Sequence, residues 1–232
     1  MSGVDFDVDS LARYLHISPS QVSRMAERGK LPGRKVGGKW RFARPDIHHW
    51  LEQRIGLSDD DELAAVEAVL DRADTTGERD RIVDVLPEEA IAVPLTAKTR
   101  SSVITSMCHL AAETGWLWDP GRMAEAVKER ESLHPTALEN GVALLHPRRP
   151  QSSILGQAVV ALGITSRGIP FGGPVMTDIF FLICSTSDAE HLRLLARLSR
   201  LLREESFVEA LRQSEDSFAA RRLIEERESE LP

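Results

Sequence analysis

The sequence predicts an α/β chain in two parts: a small α+β module of short helices and a hairpin, then a larger α/β sandwich. Three observations predict it. Residues 1–54 carry ten Lys/Arg against six Asp/Glu, so the remaining residues must hold minus eleven to reach the overall minus seven. A basic module is therefore joined to an acidic remainder. Within 1–54, apolar residues recur at helical spacing between turns marked by Gly and Pro. From residue 81 onward, strand-length apolar runs interleave with helical patterns, the order of a sheet covered on its faces. A chain of 232 residues is ample for two cores of modest size.

In the module, Leu11, Tyr14 and Leu15 form a helical stripe behind an acidic start at Asp7 and Asp9, which suits a helix N-terminus. Ser18 is a good N-cap and Pro19 is well placed at the first helical position, so a second helix starts there. It runs to Arg28 and stops at Gly29. Two short helices around a tight turn form a helix-turn-helix. Residues 34–36 and 39–42 then flank Gly37-Gly38, a dipeptide that permits positive φ in a two-residue hairpin turn. A last helix, Pro45 to about Arg54, would bury Ile47, Trp50 and Leu51.

When Val22, Met25 and Ala26 face the core, Ser20, Gln21, Ser23, Arg24 and Arg28 are left on the outer face of the second helix. Side chains at the start of a recognition helix reach base edges, which makes Gln21 and Arg24 the candidates for adenine or guanine contacts. Lys35, Lys39 and Arg41 fall on or beside the hairpin and are placed for phosphate. Trp40 and Phe42 read as core rather than base-stacking residues. Residues 8–53 resemble the excisionase-type, winged-helix relatives of the mercury-resistance-regulator family. The resemblance rests on Leu11-Ala12-x-Tyr14-Leu15-x-Ile17-Ser18 and on the run Leu31-Pro32-Gly33-Arg34-Lys35-Val36-Gly37-Gly38-Lys39-Trp40-Arg41-Phe42. It implies a winged helix-turn-helix that binds double-stranded DNA.

Residues 55–80 read as a linker. Its first part, 58–73, has an acidic start and apolar residues at 63, 66, 69, 70 and 73, the pattern of a short helix, and 74–80 is polar. The second domain, 81–213, reads as a strand from Arg81, helices over 99–114 and 120–131, and a strand near Val142. Strands over 157–164 and 177–185 follow, then helices over 190–203 and 205–213. Gly168 to Pro174 reads as a turn. Residues 214–232, dense in Arg and Glu, read as an exposed helix or frayed tail. Cys108 and Cys184 sit in apolar patterns and are expected to be buried free thiols. No histidine or cysteine cluster at ligand spacing supports a metal. No apolar run approaches the roughly 20 residues a membrane span needs, and no secretory signal opens the chain, so a cytoplasmic location is expected.

The most informative stretch is Arg130 to His146. It holds an arginine, Thr136, the Asn140-Gly141 turn, four apolar residues and a histidine in that order. A buried strand entered from a tight turn would deliver His146 to its end. A phosphoryl acceptor needs a neutral imidazole with one ring nitrogen able to attack and the other held by a hydrogen bond. It also needs donors for the charge spread over the phosphoryl oxygens. Arg130, Thr136, Asn140 and His191 supply donors of those kinds. His134 and His109 read as a loop residue and a helix-face residue.

Residues 81–212 resemble the fructose/mannitol-type enzyme IIA domain of the bacterial phosphoenolpyruvate-dependent phosphotransferase system, which includes nitrogen-regulatory variants. The family segment before its phosphorylated histidine is matched at Thr136, Asn140, Gly141, Ala143 and His146. Arg130 stands where the family has its active-site arginine, and His191 opens the stretch His191-Leu192-Arg193-Leu194-Leu195-Ala196-Arg197-Leu198, like the family's second histidine. Leu145 replaces the usual proline, and Pro135, Ala137 and Glu139 replace small residues, departures that bear on the carrier partner.

The resemblance implies phosphorylation of His146 by a histidine phosphocarrier protein, with Arg130 and His191 stabilising the transferring group, Thr136 and Asn140 shaping the loop, and no cofactor. With the module before it, the chain reads as a transcription regulator, expected to be a homodimer because one winged helix contacts little DNA. Two rivals stand beside this: a phosphocarrier serving a sugar-transport subunit, and a DNA binder whose second domain is an unphosphorylated sensor or dimerisation platform.

Overall fold

The computed structural model describes residues 5–15, 17–44, 46–47, 50–51 and 81–230. The chain divides into two units, Met1–Arg79 and Asp80–Pro232. The helix expected over 58–73 and the polar linker 74–80 lie outside the described residues.

In the first unit, α1 (Val8–Leu15) buries Leu11 and Ala12. Its start is fixed by Asp7, whose carboxylate accepts the Ser10 N–H at 2.8 Å. Helix α2 (Pro19–Glu27) opens on Ser18 with a reciprocal capping box to Gln21 and buries Val22 and Ala26. Strands β1 (Arg34–Val36) and β2 (Lys39–Arg41) pair antiparallel. Gly37 and Gly38 lie at φ 58° and 78°, the pair of positive values that a two-residue turn matched to strand twist requires. Phe42 is fully buried and exchanges backbone hydrogen bonds of 2.9 and 2.8 Å with Phe6, which ties the hairpin to the start of the module. Ile47 and Leu51 are buried as expected and Trp50 is half-buried. The Trp50 indole donates to the Lys30 carbonyl at 2.7 Å.

The second unit is built on four strands: β3 (Ile91–Ala92), β4 (Val142–Leu145), β5 (Val159–Ile169) and β6 (Thr177–Cys184), in spatial order β3-β5-β6-β4. β5 and β6 run antiparallel, whereas β3 on β5 and β4 on β6 are parallel. Strand alternation sends Ala143, Leu145, Val159, Ala161, Phe180, Leu182 and Cys184 into one core. Helices α4 (Arg100–Glu113) and α5 (Pro120–Leu133), which follow the short α3 (Ile82–Val85) in the chain, fill it with Val103, Ile104, Met107, Met123 and Val127. Val142, Leu144, Ile179, Phe181 and Ile183 are buried on the opposite face. There α6 (Asp188–Leu201) packs on β6. Helices α7 (Glu205–Arg212) and α8 (Ser217–Glu230) complete this layer. Both cysteines are free and buried. Burial pushes the Cys108 thiol up to about 12 and the Cys184 thiol well above its ordinary range.

Two expectations are corrected. The strand read from Arg81 is a short helix, α3 (Ile82–Val85). Its β-branched residues are overridden by side chains from the far end of the chain. The Glu228 carboxylate accepts the Ile82 and Val83 amides at 2.7 and 3.2 Å, and Arg221 donates to the Val83 and Leu86 carbonyls at 3.1 Å each. Both ends of the helix are thus capped from α8. The second concerns the stretch read as an exposed helix or frayed tail: it does form a helix, α8, but one that buries Ala220, Ile224 and Glu228 and packs on α3, α6 and α7.

Candidate phosphohistidine site and nucleic-acid face

His146 follows β4 directly and continues its alternation, on the same face as Val142 and Leu144. It is 3% exposed. Its Nδ1 lies 2.8 Å from the Leu144 carbonyl oxygen. A carbonyl only accepts, so Nδ1 is the donor and the lone pair of the neutral ring sits on Nε2. The tautomer is set by backbone. The neighbouring ring is His191, in the first turns of α6, with centroids 5.0 Å apart and planes inclined by 54°. His191 is 4% exposed. Sheet and helix thus bring the two sequence-predicted histidines together at the C-terminal ends of β4 and β6 and the N-terminal end of α6, where backbone dipoles favour an anion.

Arg130 lies in the last turn of α5, 8% exposed, and its Nη1 donates to the His134 carbonyl at 2.8 Å. Residues 136–138 run antiparallel along the open edge of β4: the Leu138 amide donates to Val142 at 2.7 Å and the Leu144 amide to Thr136 at 3.3 Å. Thr136 is buried, and both its N–H, at 3.1 Å, and its hydroxyl donate to the Glu131 carboxylate.

Asn140 is in a different place. It stands at the other end of β4, six residues before His146, roughly 15–20 Å away at strand rise. Its amide donates to the Leu202 carbonyl at 2.9 Å and its oxygen accepts the Val142 N–H at 3.3 Å. Gly141, at φ 83°, makes the tight turn, and Arg212 clamps it through Asp178 (2.7 Å) and the Asn140 carbonyl (2.9 Å). Asn140 shapes the approach to β4 and does not reach the histidines.

Sequence reasoning missed two residues beside the site. Glu131, 2% exposed, is paired with Arg100, whose Nη2 donates at 2.6 Å to both its carboxylate and its backbone carbonyl. In sequence Glu131 is one more charge at the end of a charged helix. Its only local signal is its place beside Arg130.

On the first unit, Ser20, Gln21, Arg24, Arg28, Lys35 and Lys39 are exposed, and Ser23 and Arg41 are half-buried. α2 and the hairpin therefore carry a polar, basic face. Gln21 has a second task, since its Oε1 accepts the Ser18 N–H and hydroxyl, each at 2.9 Å. A bidentate adenine contact would need that oxygen to share or leave Ser18. The Ser20 and Ser18 hydroxyls bond at 2.9 Å, and Arg41 lies 3.8 Å from Asp7. Lys35 stands over the Trp40 ring at 5.2 Å and Trp40 stacks on Phe42 at 6.0 Å, so the aromatics brace the hairpin from inside. Among the described residues, no group of three or more His, Cys, Asp or Glu could hold a metal ion. Among the same residues, no helix is long and apolar enough to cross a membrane.

A helix-turn-helix unit followed by an α/β domain with two histidines gathered at one sheet end defines the class of this protein. Residues 84–227 match the family described as phosphoenolpyruvate-dependent sugar phosphotransferase system, EIIA 2, and residues 6–55 match a helix-turn-helix domain. The chain belongs to that EIIA family and carries a helix-turn-helix domain ahead of it. It is 32% identical over 145 residues to a nitrogen regulatory protein of Bradyrhizobium diazoefficiens, covering 60% of this chain and 90% of that one. It is 29% identical over 145 residues to the fructose-specific EIIABC component of Bacillus subtilis, covering 60% of this chain but 22% of that larger protein. In fold it resembles the nitrogen regulatory protein IIA-Ntr of Neisseria meningitidis, with a TM-score of 0.56 at 22% identity over 62% of this chain and 98% of that one. IIA mannitol of Escherichia coli gives 0.54 at 21% identity, over 60% and 97%.

Proposed function

We propose that this protein is a DNA-binding regulator whose EIIA domain accepts a phosphoryl group on His146 from a histidine phosphocarrier, so that phosphotransferase-system state tunes DNA binding. The observation that carries the proposal is His146 itself: a buried imidazole whose tautomer is set by the Leu144 carbonyl, paired at 5.0 Å with His191. The Nε2 lone pair forms the new N–P bond as the donor's N–P bond breaks, and the donor imidazole leaves with the bonding pair. Nδ1–H stays on the Leu144 carbonyl, whose bond strengthens as the ring gains positive charge. His191 and Arg130 are the candidate donors for the equatorial oxygens. The product adds roughly minus 1.5 to minus 2 charges, by analogy with phosphorylated hydroxyls, enough to bias a domain or dimer contact.

DNA binding rests on the exposed Gln21, Arg24, Arg28, Lys35 and Lys39 around a capped second helix. A homodimer is part of the reading. A second reading, transfer onward to a sugar-transport subunit, is favoured by the fructose-specific EIIABC relative and by the fold likeness to IIA mannitol, which has a solved complex with phosphorylated IIB mannitol.

The test is incubation with phosphoenolpyruvate, enzyme I and the histidine carrier, with intact-mass detection of an acid-labile phosphate on wild type and His146→Ala. Phosphate on wild type alone, with a DNA affinity that differs between the two states, is the expected result. Absence of label while a known IIA domain labels in parallel overturns the acceptor. Equal DNA affinity in both states overturns the coupling, and rapid transfer to a IIB domain without DNA binding selects the second reading.

A further inference from the structure

We propose that Glu131, anchored by Arg100, is a positioning residue for the phosphoryl acceptor: it draws the Thr136 N–H away from β4 and so leaves the Leu144 carbonyl to hold His146. This rests on His146 being the acceptor.

Along the open edge of β4 two reciprocal backbone bonds are replaced by side-chain bonds: the Val142 N–H goes to Asn140 Oδ1 at the start of the strand, and the Thr136 N–H goes to Glu131 beside His146. Residues 137 and 143 form an antiparallel bridge whose flanking bonds run from the Leu138 amide to Val142 and from the Leu144 amide to Thr136. That register makes Thr136 and Leu144 a hydrogen-bonded pair, in which each residue ordinarily donates to the other. The Leu144 N–H does donate to Thr136, at 3.3 Å. The reciprocal bond is replaced: the Thr136 N–H turns to Glu131 Oε1 at 3.1 Å, and the Leu144 carbonyl takes His146 Nδ1 at 2.8 Å. N–H and C=O of one strand residue point to the same side, so the carbonyl that orients His146 is the one that faces Thr136.

Glu131 can divert the amide because it is itself held. Its carboxylate is buried, receives Arg100 at 2.6 Å, and also takes the Thr136 hydroxyl. A charged acceptor outcompetes a neutral carbonyl for one N–H. Arg100 is fixed in turn by the Glu131 backbone carbonyl at 2.6 Å and by the Phe171 ring, 5.3 Å from its guanidinium carbon. The logic is that of an imidazole held in its working tautomer by a buried partner, here exerted through the backbone of the neighbouring segment.

The experiment uses the full chain with Glu131→Leu, which removes the acceptor, and Glu131→Gln, which keeps an uncharged one. The first readout is the ¹⁵N shifts of the His146 ring in the unphosphorylated protein at about pH 8, above the ordinary imidazole range. The second is the single-turnover rate of phosphoryl transfer as a function of carrier concentration. Wild type is expected in one tautomer, with the proton on Nδ1. Glu131→Leu is expected as a tautomer mixture whose limiting rate falls about 10- to 100-fold, while the half-saturating carrier concentration changes by less than about twofold. Glu131→Gln shifts both readouts in the same direction by a smaller amount.

A folded Glu131→Leu protein with the wild-type tautomer and rate overturns the proposal, even if its stability falls. Should Glu131→Leu not fold, Glu131→Gln decides alone, and wild-type values in it overturn the proposal. A wild type that the carrier does not label refutes the acceptor assignment instead, and the tautomer of the two variants still decides whether Glu131 positions the ring.

Discussion

Replacing Glu228 by alanine is expected to unfold the second unit at a markedly lower temperature, although the residue lies four positions from the C-terminus. Its carboxylate is 2% exposed as a residue and accepts three donors: the Ile82 amide at 2.7 Å, the Val83 amide at 3.2 Å and Arg197 Nε at 2.5 Å. Alanine strands two amides at the start of α3, each costing about 1–3 kcal/mol where water cannot reach. It also leaves Arg197 without this carboxylate, and removing one partner of a buried pair costs about 3–5 kcal/mol. Arg197 retains 19% exposure, so part of that charge is recovered by solvent and the contributions do not simply add. A loss of about 3–5 kcal/mol is the expectation, which lowers the midpoint by roughly 6–20 °C for a unit of this size. Calorimetry on the full chain reads it, since two units can melt separately. Glu226→Ala is the control: its ion pair with Arg222 at 3.4 Å is 61–63% exposed and is expected to be worth less than about 1 kcal/mol. A Glu228→Ala loss below about 1 kcal/mol, no larger than the control, would refute the view that α8 is integral to this domain.

Other expected outcomes are more local. Ser18→Ala removes the acceptor of the capping box and should cost the first unit about 1 kcal/mol in chemical unfolding, with loosening at Gln21 that also weakens DNA binding. Lys39→Ala should lower DNA affinity evenly across sequences and reduce the salt slope by about 1, whereas Arg24→Ala should relax sequence preference; titrations at several salt concentrations separate the two. Gly141→Ala places a methyl at φ 83°, with Arg212 Nη2 at 3.1 Å and the Met176 carbonyl at 3.2 Å, and should destabilise by about 1–2 kcal/mol or more in thermal unfolding. Because burial raises both thiols, Cys108 and Cys184 stay protonated through pH 8 in the folded state; alkylation at that pH should proceed only with unfolding, and rapid labelling of native protein would contradict the packing.

Features set by local chemistry are legible in the amino-acid sequence. The helix-turn-helix follows from Ser18-Pro19 and Gly29, the hairpin from Gly37-Gly38, and the end of β4 from an Asn-Gly turn placed four apolar residues before a histidine. Each is a case where a neighbour within a few positions satisfies the backbone. Asn140 shows where that stops. Its spacing from His146 places it in the right segment, but six residues is more than the whole length of the four-residue β4, so the two residues sit beyond its opposite ends. The β-branched start Ile82-Val83 misleads for a related reason, because the partners that make it helical lie at 221 and 228.

The two carboxylates that organise the second unit are the least legible, and for one physical reason. Helix α8 buries residues 220, 224 and 228, a stripe at helical spacing whose third member is a glutamate. A periodicity reading discards that position as polar, and what remains is too little apolar surface to dock a helix, which is why the segment reads as a tail. Glu131 is hidden in the same way, in a helix end dense with charge. Both are buried because donors from elsewhere meet them: Ile82, Val83 and Arg197 for Glu228, Arg100 and Thr136 for Glu131. A charge that costs this much to desolvate is retained only with such partners in place, and each pair fixes a backbone segment that local propensity would set differently. In α3 the result is a helix where a strand is expected. Beside His146 it is a backbone amide turned from its strand partner, which leaves a carbonyl to orient the ring.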